Sequence, residues 1–171
     1  MKNTAINTLK YTGIVTLSQY IGSKKIKISQ VHNTGGDSLF EFFASCLLGD
    51  FTTAKLIRPT KVMLLERTND DPPVYTQPTN GSGFIYIITK PEKVSDTGSC
   101  RVKYSFVIPK DDVASIRSSD NLYLGLFADE VSVDNPENFA AICELKLANN
   151  IINASLVVDW ELIISNINNA E

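Results

Sequence analysis

Residues able to do chemistry are sparse in this sequence and poorly grouped. The single histidine, His32, ends a lysine-bearing stretch, SKKIKISQVHN, with no serine or cysteine spaced to act beside it as an activated nucleophile. Zinc takes about four ligands of the cysteine or histidine type. Cys46, Cys100 and Cys143 lie far apart, each inside an apolar row, and form no such spacing. They suit reduced core residues of a protein folded in a cytoplasm. Acids come in pairs: Asp70 with Asp71, Asp129 with Glu130, and Asp159 with Glu161. The last two pairs could serve to cleave a glycoside and the first could ligate a cation, but nothing marks them out from solvated acids. The acidic loop with Glu130, Asp134, Asn135 and Glu137 lacks the ligand order of an EF-hand. The expectation is no catalytic residue, no metal ligand and no cofactor: a protein that is not an enzyme.

What remains is contact chemistry. Thr68 to Gly83, TNDDPPVYTQPTNGSG, is too long for a simple turn and rich in proline, glycine and asparagine. It supplies Asp70, Asp71, Pro72, Pro73 and Tyr75 as candidate partner-binding residues, because ordering such a loop against a partner offsets its entropy. A second candidate group is Lys24, Lys25 and Lys27, placed to meet a negative surface, although lysine on an exposed strand also blunts edge pairing. A carbohydrate-binding module is the alternative, with Tyr75, Tyr86, Tyr123 and Trp160 as stacking rings; only Tyr75 of these falls in a loop.

The elements that must position these residues are mostly strands. The exception is TGGDSLFEFFASCLLGDF, Thr34 to Phe51, whose apolar residues recur at helical spacing. Ser38 and Glu41 read as a capping box and Gly49 as the stop, giving one inserted helix near residues 38–48. Its apolar residues span most of the circumference, so it calls for cover on more than one side, plugging one end of a β-structure. Period-two alternation marks strands at residues 7–18, with Gly13 at a bulge, and at Lys25–Ser29, with Val31 out of phase. TKVMLLER is apolar on both faces, one to be covered by the helix. GFIYIITK follows, then, after the loop PEKVSDTG, a row of Cys100, Val102, Tyr104, Phe106 and Ile108. KDDVASIRSSD suits a helical turn. Leu122, Leu124 and Leu126 oppose Tyr123 and Phe127; Ala141, Cys143, Leu145 and Leu147 are in phase; and Leu156, Val158, Trp160, Leu162 and Ile164 oppose Asp159 and Glu161.

About eight antiparallel strands with one-sided rows imply a mainly β fold, an antiparallel β-sandwich of jelly-roll type, in a single domain over residues 1–171. That length can bury about 70% of the surface the unfolded chain exposes. A net charge of −3 gives no bias toward polyanions, so nucleic acid is not an expected partner. No stretch approaches the ~18 apolar residues of a membrane span, and the first residues lack the apolar run of a secretion signal.

Three stretches taken together, NTGGDSLFEFFASCLLGDF, IRPTKVMLLER and SLVVDWELIISN, resemble small virion structural proteins of tailed bacteriophages. The likeness is particularly to auxiliary capsid, head-fibre and tail-associated β-sandwich proteins of Bacteroides-infecting, crAss-like phages. It is carried by apolar patterning over most of the chain. The resemblance implies a non-enzymatic, homo-oligomeric virion component, either an auxiliary or decoration capsid protein or a tail or head-fibre component, with other virion proteins as partners. It implies folding in the host bacterial cytoplasm, with residues 68–83 and the chain ends contacting neighbouring subunits. No family active site carries over.

Overall fold

Strands with one apolar face cannot leave that face in water, and here the solution is curvature. The computed structural model describes residues 8–56, 58–71, 73–76, 84–96, 99–116, 122–128, 139–147 and 154–167. In chain order the elements are β1 (Thr8–Ile21), β2 (Lys24–Gly35), α1 (Asp37–Leu48), α2 (Phe51–Leu56), β3 (Pro59–Asp70), β4 (Pro73–Thr76), β5 (Ile85–Ile87), β6 (Thr89–Asp96), β7 (Ser99–Ile108), α3 (Lys110–Ile116), β8 (Leu122–Ala128), β9 (Ala141–Glu144) and β10 (Leu156–Ile167). The ten strands form one antiparallel sheet in the order β4-β3-β8-β9-β2-β1-β10-β7-β6, with β5 also on β3, curled into a half-barrel.

Two separate face-to-face sheets are therefore not what the hydrogen bonds describe. β2 belongs to both halves: its length pairs with β1, while Thr34 and Gly35 pair with β9. The segment from Ile85 to Asp96 does the same at the opposite margin. β5 pairs with β3, the chain bends at Ile88, whose N–H donates to the Thr60 carbonyl at 3.1 Å, and β6 pairs with β7. PEKVSDTG, expected as a loop, thus supplies most of β6. The pairings nest about the β6–β7 turn: β6 with β7, β3 with β8, β2 with β9, β1 with β10.

Inside the curl lies one continuous core. β10 contributes Leu156, Val158, Trp160 and Leu162, facing Val15 and Leu17 of β1, Tyr104, Phe106 and Ile108 of β7, and Leu122, Leu124 and Leu126 of β8. Trp160 is wholly inaccessible to solvent, as its place in the inner row requires. Tyr86 stacks on Phe106 at 5.8 Å, joining the corner segment to β7. β3 is buried on both sides, as its sequence implies, but the outer cover is not the helix. Met63 and Leu65 pack there with Phe127, Ile142, Tyr75, Tyr123 and Phe139.

Two irregularities expected near β1 have other causes. The bulge lies at the Leu17–Ser18 step, where Leu17 opposes Ser29 and Ser18 opposes Lys27, leaving Ile28 as the extra residue of β2. One inserted residue reverses the alternation, so Ile28 and Val31 both reach the core while Ile26 is left exposed. Gly13 is not bulged. It faces Asn33 in regular register, and a Cβ there would fall 1.3 Å from the Asn33 side-chain oxygen. The glycine makes room for Asn33, whose amide donates to the Tyr11 hydroxyl at 3.1 Å.

Trp160→Ala should lower stability by about 3–5 kcal/mol, as for a large aromatic removed from a core. Gly13→Ala should cost about 1–3 kcal/mol through overpacking, and the double change Gly13→Ala/Asn33→Ala should recover part of that loss. Urea denaturation midpoints check both; strictly additive effects of the two changes would exclude the Gly13–Asn33 contact as the cause.

Candidate functional site

α1 begins at Asp37, one residue before the expected cap, and its cap position is Gly36 (φ −100°, ψ 171°) with no side-chain hydrogen bond. Ser38 is thus already helical and is not the cap residue. Gly36 instead fixes where the helix leaves the sheet. Its N–H donates to the Ala140 carbonyl at 2.8 Å, and a Cβ would fall 2.1 Å from the Phe139 carbonyl oxygen. At the other end Gly49 adopts the left-handed conformation, φ 75°, and its N–H donates to the Cys46 carbonyl while that of Asp50 donates to Ser45.

The cover this helix was expected to have is present on one side only. Leu39 is buried and Phe43 packs against the core, with Ser45 also buried and Ala54 of α2 buried alongside. The opposite side carries Phe40, Ala44, Leu47 and Leu48, spaced as an apolar helical stripe should be for burial, and all exposed. Leu47 is 86% exposed, Leu48 84%, Phe51 72% and Phe40 56%. The core of the curl is filled chiefly by strand side chains together with Leu39, and the second stripe of α1 is left exposed.

Two further apolar groups face outward. At the β1–β2 turn, Tyr20 and Ile21 are exposed beside Gly22 (φ 62°), with Lys24 and Ile26 exposed across the turn. At the β5–β6 corner, Ile85 and Ile87 are exposed, and Ile87 borders a cleft of about 230 Å³ lined by Arg58, Pro59, Thr60, Ile88 and Pro91.

The titratable groups, by contrast, are tied to one another. On the outer face, Asp159 of β10 accepts hydrogen bonds from Lys25 of β2 at 2.6 Å and Ser105 of β7 at 2.8 Å, and pairs with Lys103 at 3.2 Å. Glu161 pairs with Arg101 at 3.1 Å. Burial alone would raise the Asp159 carboxyl, but the hydrogen bonds from Lys25, Ser105 and Lys103 prevail and hold it below the usual carboxylate range. The acid pair of β10 is therefore a neutralised clamp that ties β10 to β7 beside it and, across β1, to β2, not a free pair of carboxylates. Lys25 is half of an ion pair within the chain. Burial pushes the Cys143 thiol up to about 12 and leaves it no thiolate at neutral pH. Burial likewise raises Tyr104 and Tyr11, each to about 12, and raises Tyr86, whose hydroxyl donates to Asp112 at 3.1 Å.

The residues singled out for partner binding fall into two places. Lys24, Lys25 and Lys27 follow the β1–β2 turn, with Lys27 hydrogen-bonded to Gln30 and Lys25 to Asp159. Asp70 and Pro73 belong to the β3–β4 hairpin, where Arg67 pairs with Asp70 at 3.3 Å; Asp71, at the turn, is exposed. Tyr75 is on strand β4 and not in a loop, edge-on to Tyr123 at 5.1 Å and Phe139 at 5.8 Å. Three strands, β3, β8 and β9, separate β4 from β2, so the sheet does not bring the two groups together. Pro72, residues 77–83, the acidic loop from Asp129 to Glu137 and both chain ends lie outside the described residues. Trp160 and Tyr86 are buried and offer no face to a sugar. Sequence reasoning found the wide apolar circumference of the helix but expected all of it to be covered within the fold, whereas Phe40, Leu47 and Leu48 are exposed. The available signal was two interleaved apolar stripes on a helix of 12 residues, more than one contact side can absorb.

Among the described residues, no group of three or more His, Cys, Asp or Glu is placed to hold a metal ion, and no helix is long and apolar enough to cross a membrane. No protein-family model, curated protein or solved structure matches the chain.

A carboxyl whose folded pKa lies below its unfolded value of about 3.9 stabilises fully above that value and loses the contribution as pH falls through the folded pKa. Asp159→Asn should therefore destabilise at pH 7, and the gap to wild type should close as pH falls below about 4. Urea titrations at pH 7 and in acid check this; a gap that does not change with pH would show that Asp159 acts by shape and not by charge.

Proposed function

We propose that this chain is a non-enzymatic structural subunit of a bacteriophage particle, an auxiliary or decoration protein of the capsid. The observation that carries the reading is the outward placement of large apolar side chains in three separate groups, on α1–α2, at the β1–β2 turn and at the β5–β6 corner. Contiguous exposed apolar surface marks sites of association, and a subunit with several neighbours needs several such faces. An enzyme or a sugar-binding module concentrates its specificity in one concave site with convergent polar groups. Here the acids of β10 are neutralised by neighbouring cations, and two of the four candidate stacking rings are buried.

The nested pairing of β6 with β7, β3 with β8, β2 with β9 and β1 with β10 supports a finer reading of the fold as a jelly-roll relative, a two-stranded ribbon rolled on itself. That reading agrees with the virion proteins the sequence resembles. On this proposal the partners are other virion subunits and copies of the chain itself. Nucleic acid and membrane are not contacted, and the protein folds in the host bacterial cytoplasm before it joins the particle.

Phage particles purified from an infected culture on a density gradient test the proposal by mass spectrometry. The chain is expected in the particle band at a fixed ratio to the major capsid protein; abundance in the lysate with absence from particles would overturn it. Tyr20→Glu and Ile87→Glu, both at exposed positions, should change stability by no more than about 0.5 kcal/mol while lowering incorporation. Normal incorporation of both would remove those faces from the assembly.

A further inference from the structure

The exposed side of α1 has the attributes of a self-pairing surface. Phe40, Ala44, Leu47 and Leu48 line it at spacings of four, three and one residues, with Phe51 of α2 continuing it past the Gly49 turn. This is the stripe a helix presents to a second helix, and the small Ala44 at its middle lets another helix approach closely. Four large side chains at these exposures offer on the order of 500 Å², the size of the largest apolar patch on a typical monomer.

We propose that α1 packs antiparallel against α1 of a second copy of this chain across a two-fold axis near Ala44. This inference rests on the structural-subunit reading and names the partner of one of its faces. Charge decides between partners and between orientations. α1 carries two charged residues, Asp37 and Glu41, both acidic and both in its N-terminal half, and the stretch from Phe42 to Leu48 carries none. The face is neutral and apolar throughout its middle and therefore complementary to itself. Parallel packing would bring the two Glu41 carboxylates and the two positive helix N-termini together. Antiparallel packing puts the carboxylates at opposite ends and sets the helix dipoles against each other favourably. A two-fold contact of this kind is closed, with the same residues used on both sides, so it ends at a dimer and does not propagate.

The area sets the strength. Two copies of the patch bury about 1,000 Å², at the lower limit for a specific interface, so the dimer should be reversible over accessible concentrations. The buried side of α1 is unaffected by the pairing, since Leu39 and Phe43 already pack in or against the core.

Sedimentation equilibrium of the purified chain over roughly 5 to 200 µM tests the proposal in the range expected of a small interface. The expected result is a monomer–dimer equilibrium that Leu47→Glu weakens by about tenfold or more, as for a central interface residue, with the β-rich circular dichroism spectrum unchanged. Orientation is tested by symmetric cross-linking in a Cys46→Ala/Cys100→Ser background. On mild oxidation Ala44→Cys should give a covalent dimer and Glu41→Cys should not. A wild-type monomer throughout, or a dimer indifferent to Leu47→Glu, would overturn the proposal, as would cross-linking by Glu41→Cys in preference to Ala44→Cys. None of these outcomes bears on whether the chain is found in particles, so failure here and failure of the structural-subunit reading are separately visible.

Discussion

One constraint governs this molecule: an antiparallel sheet with a single apolar face can bury that face only against itself or against helices. The helices here are too few and too short, so the sheet curls. The row Leu156, Val158, Trp160 and Leu162 on β10 then meets side chains from the far half of the same sheet, and the two halves share one core. Everything else in the fold serves that curl. β2 passes from one half to the other, the Ile85–Asp96 segment does so at the opposite margin, and the Ile28 bulge reverses the phase of β2 so that Ile28 and Val31 both reach the core.

The outer face of the sheet follows a different rule. Charged residues there are held in cross-strand pairs, Lys25 and Lys103 on Asp159 and Arg101 on Glu161. Exposed pairs contribute little, but Asp159 is largely sheltered, and its hydrogen bonds bind β2, β10 and β7 from outside while the core binds them from within. These pairings hold the two acids of β10 in cross-strand contacts with cations.

The helices are where folding and association part company. α1 satisfies the sheet with Leu39 and Phe43 and leaves Phe40, Leu47 and Leu48 in water. An isolated chain gains nothing from that exposure. The arrangement makes sense when the second stripe has a partner, and the anchoring of Gly36 against Phe139 and Ala140 keeps the helix presented outward on a fixed base.

The sequence by itself determined which residues face inward on most long strands, β2 with its bulge excepted, because alternation with period two is a local property of an extended chain. The rows of β8 and β10, that of β7 apart from Cys100, which is exposed, and the double burial of β3 were legible in this way, and the stop at Gly49 from its residue type. Tertiary structure alone decided how the strands were joined. That β2 serves both halves, that PEKVSD lies in β6, and that Asp159 is clamped by Lys25 depend on pairings the local pattern does not announce. Gly13 shows the difference at one position. As a residue type it signals a break, yet its purpose is to clear space for Asn33 on the neighbouring strand, a contact with no local signature. The same holds for α1, whose apolar residues announce burial in general but not which stripe the sheet accepts; the filled interior of the curl made that choice.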